Sequence, residues 1–154
     1  MEELLLRPGT ASDLGQVAEV LVASRRAAYP AMPPFVHPEA EVRAGVAGWD
    51  LSAVGLWVAE RDGAVVGFAA LTSTWLDHLY VDPRHAGQGI GSALLGLAQS
   101  LRPAGIGLWV FVSNLGARRF YERHGFTEVR RTDGTENEEG APDIELQWRG
   151  RMGT

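Results

Sequence analysis

The sequence predicts an α/β fold, a sheet flanked by helices. Two observations carry this: runs rich in Val, Trp and Phe alternate with amphipathic helical patterns from end to end, and Gly, Pro and Asp turn signals separate them. A third observation bounds it. The 154 residues are enough to bury a substantial core and are most simply one domain, expected over 1–154.

LLLRP reads as a short first strand. Thr10, Ala11, Ser12 and Asp13 then open a helix whose apolar positions Leu14, Val17, Val20 and Leu21 share one face, and which fades near Ala28. The four prolines of YPAMPPFVHPE bar regular helix and mark a loop or lid, followed by a second helix from about Pro38 to Val46. Val54 to Glu60 and Ala64 to Leu71 read as an antiparallel hairpin turned at Arg61, Asp62 and Gly63. A third strand, TWLDHLYV, runs into Asp82, Pro83 and a glycine segment, behind which a helix carries Ile90, Leu94, Leu95 and Leu97 until Pro103 and Gly105 end it. A strand GLWVFV, a helix from about Asn114 to His124, a strand GFTEVRR, a polar insert DGTENEEGAPD and a last strand IELQWR complete the order. The acidic insert reads as a solvated hairpin loop.

Composition removes whole classes of chemistry. With no cysteine there is no disulfide, thiolate nucleophile or cysteine metal site. Lysine is absent too, which removes a lysine base, a Schiff base and a P-loop. A net charge of −5 argues against a nucleic-acid partner. No apolar run approaches the roughly 20 residues that span a bilayer, and MEELLLRPGT carries acidic residues where a secretory signal carries positive ones. The expectation is therefore a cytoplasmic protein with no membrane partner. His37, His85 and His124 lie far apart with no HExxH spacing, so no metal is expected. Trp57, Trp75, Trp109 and Trp148 fall in strands and are read as core.

The stretch GQGIGSALL places Gly87, Gly89 and Gly91 on alternate positions between a strand and a helix. Such glycines either make a slack surface turn or let backbone N–H groups and the helix N-terminus reach phosphate oxygens. The dinucleotide GxGxxG fingerprint fits poorly, since position 92 is Ser and the next strand ends WVFVS without an acidic residue. What stands beside the turn reading is a main-chain cradle for a pyrophosphate over Gln88 to Ser92. A second strand-to-helix junction, SNLGARRFYERHGF, sets Asn114, Ala117 and Tyr121 along a helix. Asn114 suits a helix cap as well as a ligand contact, and Tyr121 suits a half-buried core aromatic as well as an acid.

LYVDPRHAGQGIGSALL and NLGARRFYERHGF together resemble the GCN5-related N-acetyltransferase (GNAT) family, which transfers acetyl from acetyl-coenzyme A to an amine. The resemblance covers nearly the whole chain. It implies a GNAT-like acyl-CoA N-acyltransferase fold with a mixed central sheet, and acetyl-CoA as cofactor. It further implies that Leu79, Tyr80 and Val81 pair through backbone groups with the pantetheine arm, and that Gly87, Gln88, Gly89, Ile90, Gly91 and Ser92 hold the pyrophosphate. Asn114 is implied to contact the cofactor arm and Tyr121 to protonate the departing thiolate. Where the family often has Arg or Gln before the first glycine, this chain has Ala86, which puts a supporting contact in doubt.

An attacking amine must lose its proton, so a base or a water chain is required. Asp77 and His78 are the candidate side chains; strand alternation puts them on opposite faces, so one at most is expected to enter the cleft, and Asp77 shares parity with Leu79 and Val81. Water-mediated deprotonation oriented by Asp77 is the favoured reading. A strand N–H near Leu79 or Tyr80 is the expected oxyanion donor. The reading is thus an N-acetyltransferase acting on a primary amine of a small molecule or a protein amino terminus. A noncatalytic acyl-CoA sensor is the alternative, and Tyr121 favours the enzyme. The partner is an amine acceptor, and a homodimer is compatible with the chain.

Overall fold

The computed structural model describes residues 3–150. Met1, Glu2 and residues 151–154, which the domain expected over 1–154 includes, lie outside the described residues. The first strand, β1 (Leu5–Pro8), leads through a 3-10 turn at Ala11–Asp13 into α1 (Leu14–Ala28). The Thr10 N–H donates to Asp13 Oδ2 at 2.8 Å, and Arg7 donates from Nη1 to the same carboxylate at 2.8 Å and from Nη2 to Glu60 at 3.0 Å. This cluster fixes the entry angle of α1. Val17, Val20 and Leu21 then face inward as the spacing predicts, each burial stabilising the fold by roughly 1.5–3 kcal/mol.

After the proline-rich loop come α2 (Glu39–Ala47), the hairpin β2 (Gly55–Arg61) and β3 (Ala64–Leu71), and β4 (Leu76–Val81). The second half follows as α3 (Ile90–Leu101), β5 (Ile106–Phe111), α4 (Leu115–Arg123), β6 (Thr127–Thr132) and β7 (Asp143–Trp148). The strands form two antiparallel sheets, β1-β2-β3-β4 and β5-β7-β6. A parallel bridge between Trp75 and Gly107 joins them, with the Gly107 N–H bonded to Thr74 O at 2.9 Å. Gly107 is required there because a Cβ would stand 2.9 Å from the Trp75 ring and 2.3 Å from Gln147 Nε2.

From that bridge β4 and β5 run in the same direction and part, which is the parallel element expected of a mixed sheet. On one face α3 packs Ile90, Leu94 and Leu95 over Leu71, Ile106, Leu108 and Ile144. On the other, α1 and α2 pack Val17, Leu21 and Val46 over Val58 and Phe68. Among the described residues no helix is long and apolar enough to cross a membrane.

Candidate functional site

The parted strands open a cleft of about 410 Å³ lined by β4, β5, the end of α1 and one side of α4. Its floor is backbone. The Asp82 N–H donates to Val66 O at 2.8 Å, and the ladder continues with Tyr80 opposite Phe68 and His78 opposite Ala70. Because hydrogen-bonded pairs alternate with non-bonded ones, Tyr80 and His78 spend their backbone groups on β3, while Leu79 and Val81 turn theirs toward the gap. The Val81 carbonyl is met there by Ser24 Oγ at 2.6 Å. The expected oxyanion donor therefore narrows from Leu79 or Tyr80 to Leu79, and Tyr80 has no backbone donor facing the gap.

Further along β4 the register slips: His78 pairs with Ala70 but Leu76 with Leu71, leaving Asp77 as the extra residue of a β-bulge. Strict alternation fails at this point. Asp77 and His78 both line the cleft, against the expectation that one at most would. The Asp77 side chain is exposed, and the surrounding protein raises its pKa above the ordinary carboxylate value. His78 stacks on Trp49 with ring centroids 5.0 Å apart, and its buried Nδ1 has no partner among the described residues. Burial first, then the Arg25 charge, pushes its pKa down to about 4, so the ring is neutral at pH 7.

At the far end of β4, Asp82 caps the 3-10 turn Pro83–His85 and holds Arg84 through Nη2 at 2.8 Å and Nε at 3.2 Å. Arg84 is thereby committed to Asp82 rather than standing in for the missing side chain at Ala86. Gly87 and Gly89 have φ of 77° and 80°, the left-handed region in which a side chain is strained, and Gly89 is the N-cap of α3. The N–H groups of Ile90, Gly91 and Ser92 in the first turn have no intrahelical acceptor. Beside them, nothing lies within 4 Å of where a Cβ on Gly87 or Gly89 would be. Gly91 is an ordinary helical residue on which a Cβ would stand 3.5 Å from Phe120, a normal van der Waals contact. The Gln88 side chain is turned aside to Arg61 and His85. This cradle fits a pyrophosphate: it offers donors, a helix dipole and no obstructing side chain.

Across the gap Asn114 caps α4, its Oδ1 accepting from the Ala117 N–H at 3.3 Å, and it also lines the cleft. Tyr121 lies one face further along α4, half-buried, with Phe120 and Phe126 at its edges. Among the described residues its hydroxyl makes no hydrogen bond inside the protein. Burial raises its pKa well above the ordinary phenol value, with the neighbouring Tyr80 adding to the effect.

Several cleft residues carried no signal in the sequence. Arg25 and Met32 approach from α1 and the proline-rich loop, and Glu139 reaches in from the insert between β6 and β7. That insert is solvated over most of its length, as expected, but it also folds back: Glu138 meets His37 at 3.1 Å and Glu139 lies 3.7 Å from Arg25. Trp109, expected in the core, is 42% exposed and lines the cleft, stacked on Trp75 at 6.2 Å. Among the described residues no group of three His, Asp or Glu side chains is arranged to hold a metal ion.

The family model of the acetyltransferase (GNAT) domain matches residues 52–128, half of the chain. The chain belongs to the GNAT family. That segment holds the glycine cradle, the bulged strand and the helix of Tyr121. Peptidyl-lysine N-acetyltransferase YjaB of Salmonella typhimurium is 40% identical over 79 residues, which cover 51% of this chain and 54% of that one. The chain spans about half the length of the curated relatives it matches, or less. The solution structure of apo-form YjaB from Escherichia coli superposes with a TM-score of 0.78 at 24% identity, covering 96% of this chain and 99% of that one. The crystal structure of PaiA N-acetyltransferase from Thermoplasma acidophilum in complex with coenzyme A gives a TM-score of 0.73 at 19% identity, covering 96% and 99%. Two antiparallel sheets meeting at one parallel bridge are thus the GNAT fold.

Proposed function

We propose that the protein transfers the acetyl group of acetyl-CoA directly to a primary amine. The observation that carries this is one cleft in which the gap-facing backbone edge of Leu79 and Val81 stands together with Asn114 and Tyr121. The same strand leads on in the chain to the positive-φ glycines that open α3. Family membership supports the reading, as does the presence of coenzyme A in the Thermoplasma relative. When bound, the cofactor would supply a thioester-activated acetyl group.

The chain's own residues have separable tasks in this reading. Main-chain donors at Ile90, Gly91 and Ser92, with the α3 dipole, hold the pyrophosphate. Leu79 and Val81 align the pantetheine arm as an added strand would, and Asn114 offers its amide beside it. The Leu79 N–H faces the position where negative charge grows on the carbonyl oxygen. Tyr121 stays protonated across the working pH range and acts as the donor to the leaving sulfur. Asp77 accepts the amine proton through water, its raised pKa making it a better base than an ordinary carboxylate. His78, neutral and half-enclosed, orients rather than titrates. A sensor needs neither a proton donor beside the sulfur nor an open amine side, so the enzyme reading is preferred.

The deciding test is incubation with acetyl-CoA and a range of amines, following coenzyme A release and the mass of the acetylated product. Amine-dependent release supports the transferase. Tight acetyl-CoA binding without transfer to any amine would establish the sensor.

A further inference from the structure

We propose that Arg25 binds a carboxylate of the acceptor, so that the substrate is a small molecule bearing both the reacting amine and a carboxylate. This rests on the transferase reading and deepens it. Arg25 is 8% exposed, yet it lines the cleft beside Tyr80, His78 and Glu139. Its guanidinium is incompletely partnered: Nη2 donates to Pro33 O at 2.9 Å, the Tyr80 hydroxyl lies within its reach, and Nε is buried with no partner among the described residues. The nearest carboxylate oxygen, on Glu139, lies 3.7 Å away, too far for a direct hydrogen bond. The Phe35 ring, 4.4 Å from Arg25 Cζ, supports one face of the plane and leaves its edge free.

A buried cation with no carboxylate in hydrogen-bond contact and a buried N–H unused is an unfavourable arrangement in isolation and a favourable one once a carboxylate completes it. A guanidinium is also the side chain whose fork matches a carboxylate with two parallel bonds. Its position suits the reaction. The preceding residue, Ser24, is bonded to the Val81 carbonyl at the edge of the gap. Arg25 is therefore held against the strand that presents the thioester, and an amine on the same small molecule reaches the bulge at Asp77. Glu139, itself only 18% exposed, would be displaced from Arg25 or would face the acceptor's ammonium as it enters.

The experiment compares free amino acids with their carboxamides as acceptors, using wild-type protein, Arg25→Gln and Glu139→Gln, and measures KM and kcat for each. Wild type should prefer the carboxylate form by about tenfold or more in kcat/KM. Arg25→Gln should erase the preference by raising KM for the carboxylate form, leaving the amide form and the KM for acetyl-CoA unchanged. Glu139→Gln should lower KM for the carboxylate form. Equal turnover of acid and amide by wild type overturns the role of Arg25 while the transferase reading stands. So does an equal loss on both forms in folded Arg25→Gln. Acetyl-CoA binding with no acceptor turned over overturns both readings together.

Discussion

Leu76 and Leu79, three residues apart on β4, pack into the same core beneath α3. A regular strand cannot do this, because its side chains alternate with period two. The bulge at Asp77 absorbs the extra residue and returns Leu79 and Val81 to the face of Leu76. The same device brings Asp77 and His78 together at the cleft wall, opposite Tyr121 on the other strand's following helix.

Tyr121→Phe keeps the ring among Phe120 and Phe126 and removes only the hydroxyl. Cofactor affinity should hardly change, and turnover should fall by roughly 10- to 1,000-fold, the span for one positioned proton donor. Single-turnover rates are the appropriate measurement, since slow product release masks a chemical defect. A variant as fast as wild type would reduce Tyr121 to packing.

Gly89→Val tests the cradle. Nothing lies within 4 Å of the new Cβ, so the variant suffers from its φ of 80° rather than from a clash. That strain is about 1–3 kcal/mol, which the fold tolerates, while the donors of the first turn are re-aimed or covered. Calorimetric titration should show acetyl-CoA affinity reduced by about 100-fold or more with the far-UV spectrum unchanged. Unaltered affinity would mean that the pyrophosphate lies elsewhere.

Most elements were legible because their signals are local. The β3 bounds, Ala64–Leu71, fall where a Val- and Phe-rich apolar run and the Asp62-Gly63 turn put them, and Asn114 starts α4 because a side-chain acceptor belongs there. The bulge was not legible. It arises from the pairing of β4 with β3, and TWLDHLYV carries no glycine or other mark of an extra residue. Arg25 and Glu139 were invisible for a related reason: each is an ordinary helix or loop charge until the proline-rich loop and the insert fold toward one another. The glycine spacing revealed a cradle but could not separate its members. Gly87 and Gly89 are set by backbone conformation, whereas Gly91 has ordinary helical backbone and room for a Cβ in normal contact with Phe120.

The Arg7 cluster predicts acid sensitivity. The hydrogen bond from Arg7, helped by that from the Thr10 N–H, holds the pKa of Asp13 at about 2, below the ordinary value near 3.9. A depressed folded-state pKa gives stability that is fully present above the unfolded value and lost as pH falls through the folded one. Asp13→Asn should therefore lower unfolding free energy by about 2 kcal/mol at pH 7. The gap to wild type should close between about pH 4 and pH 2. Denaturant titrations at pH 7, 4 and 2 measure it, and a gap independent of pH would contradict the linkage.

The base is tested by comparing Asp77→Asn with His78→Gln over about pH 6 to 9, using an acceptor whose own ionisation has been measured. Asp77 works when deprotonated, and its raised pKa shifts the acidic limb of the rate profile upward from where a free carboxylate would put it. The Asn variant should lose that limb and run more slowly throughout. His78 titrates at about 4, so it is neutral across the whole range and has no ionisation to contribute there. The Gln variant should keep the profile's shape, although loss of the stack on Trp49 lowers its height. If the limb disappears only in His78→Gln, the assignments exchange. If neither profile moves, the acceptor's own ionisation governs deprotonation, and solvent takes the proton with no help from β4.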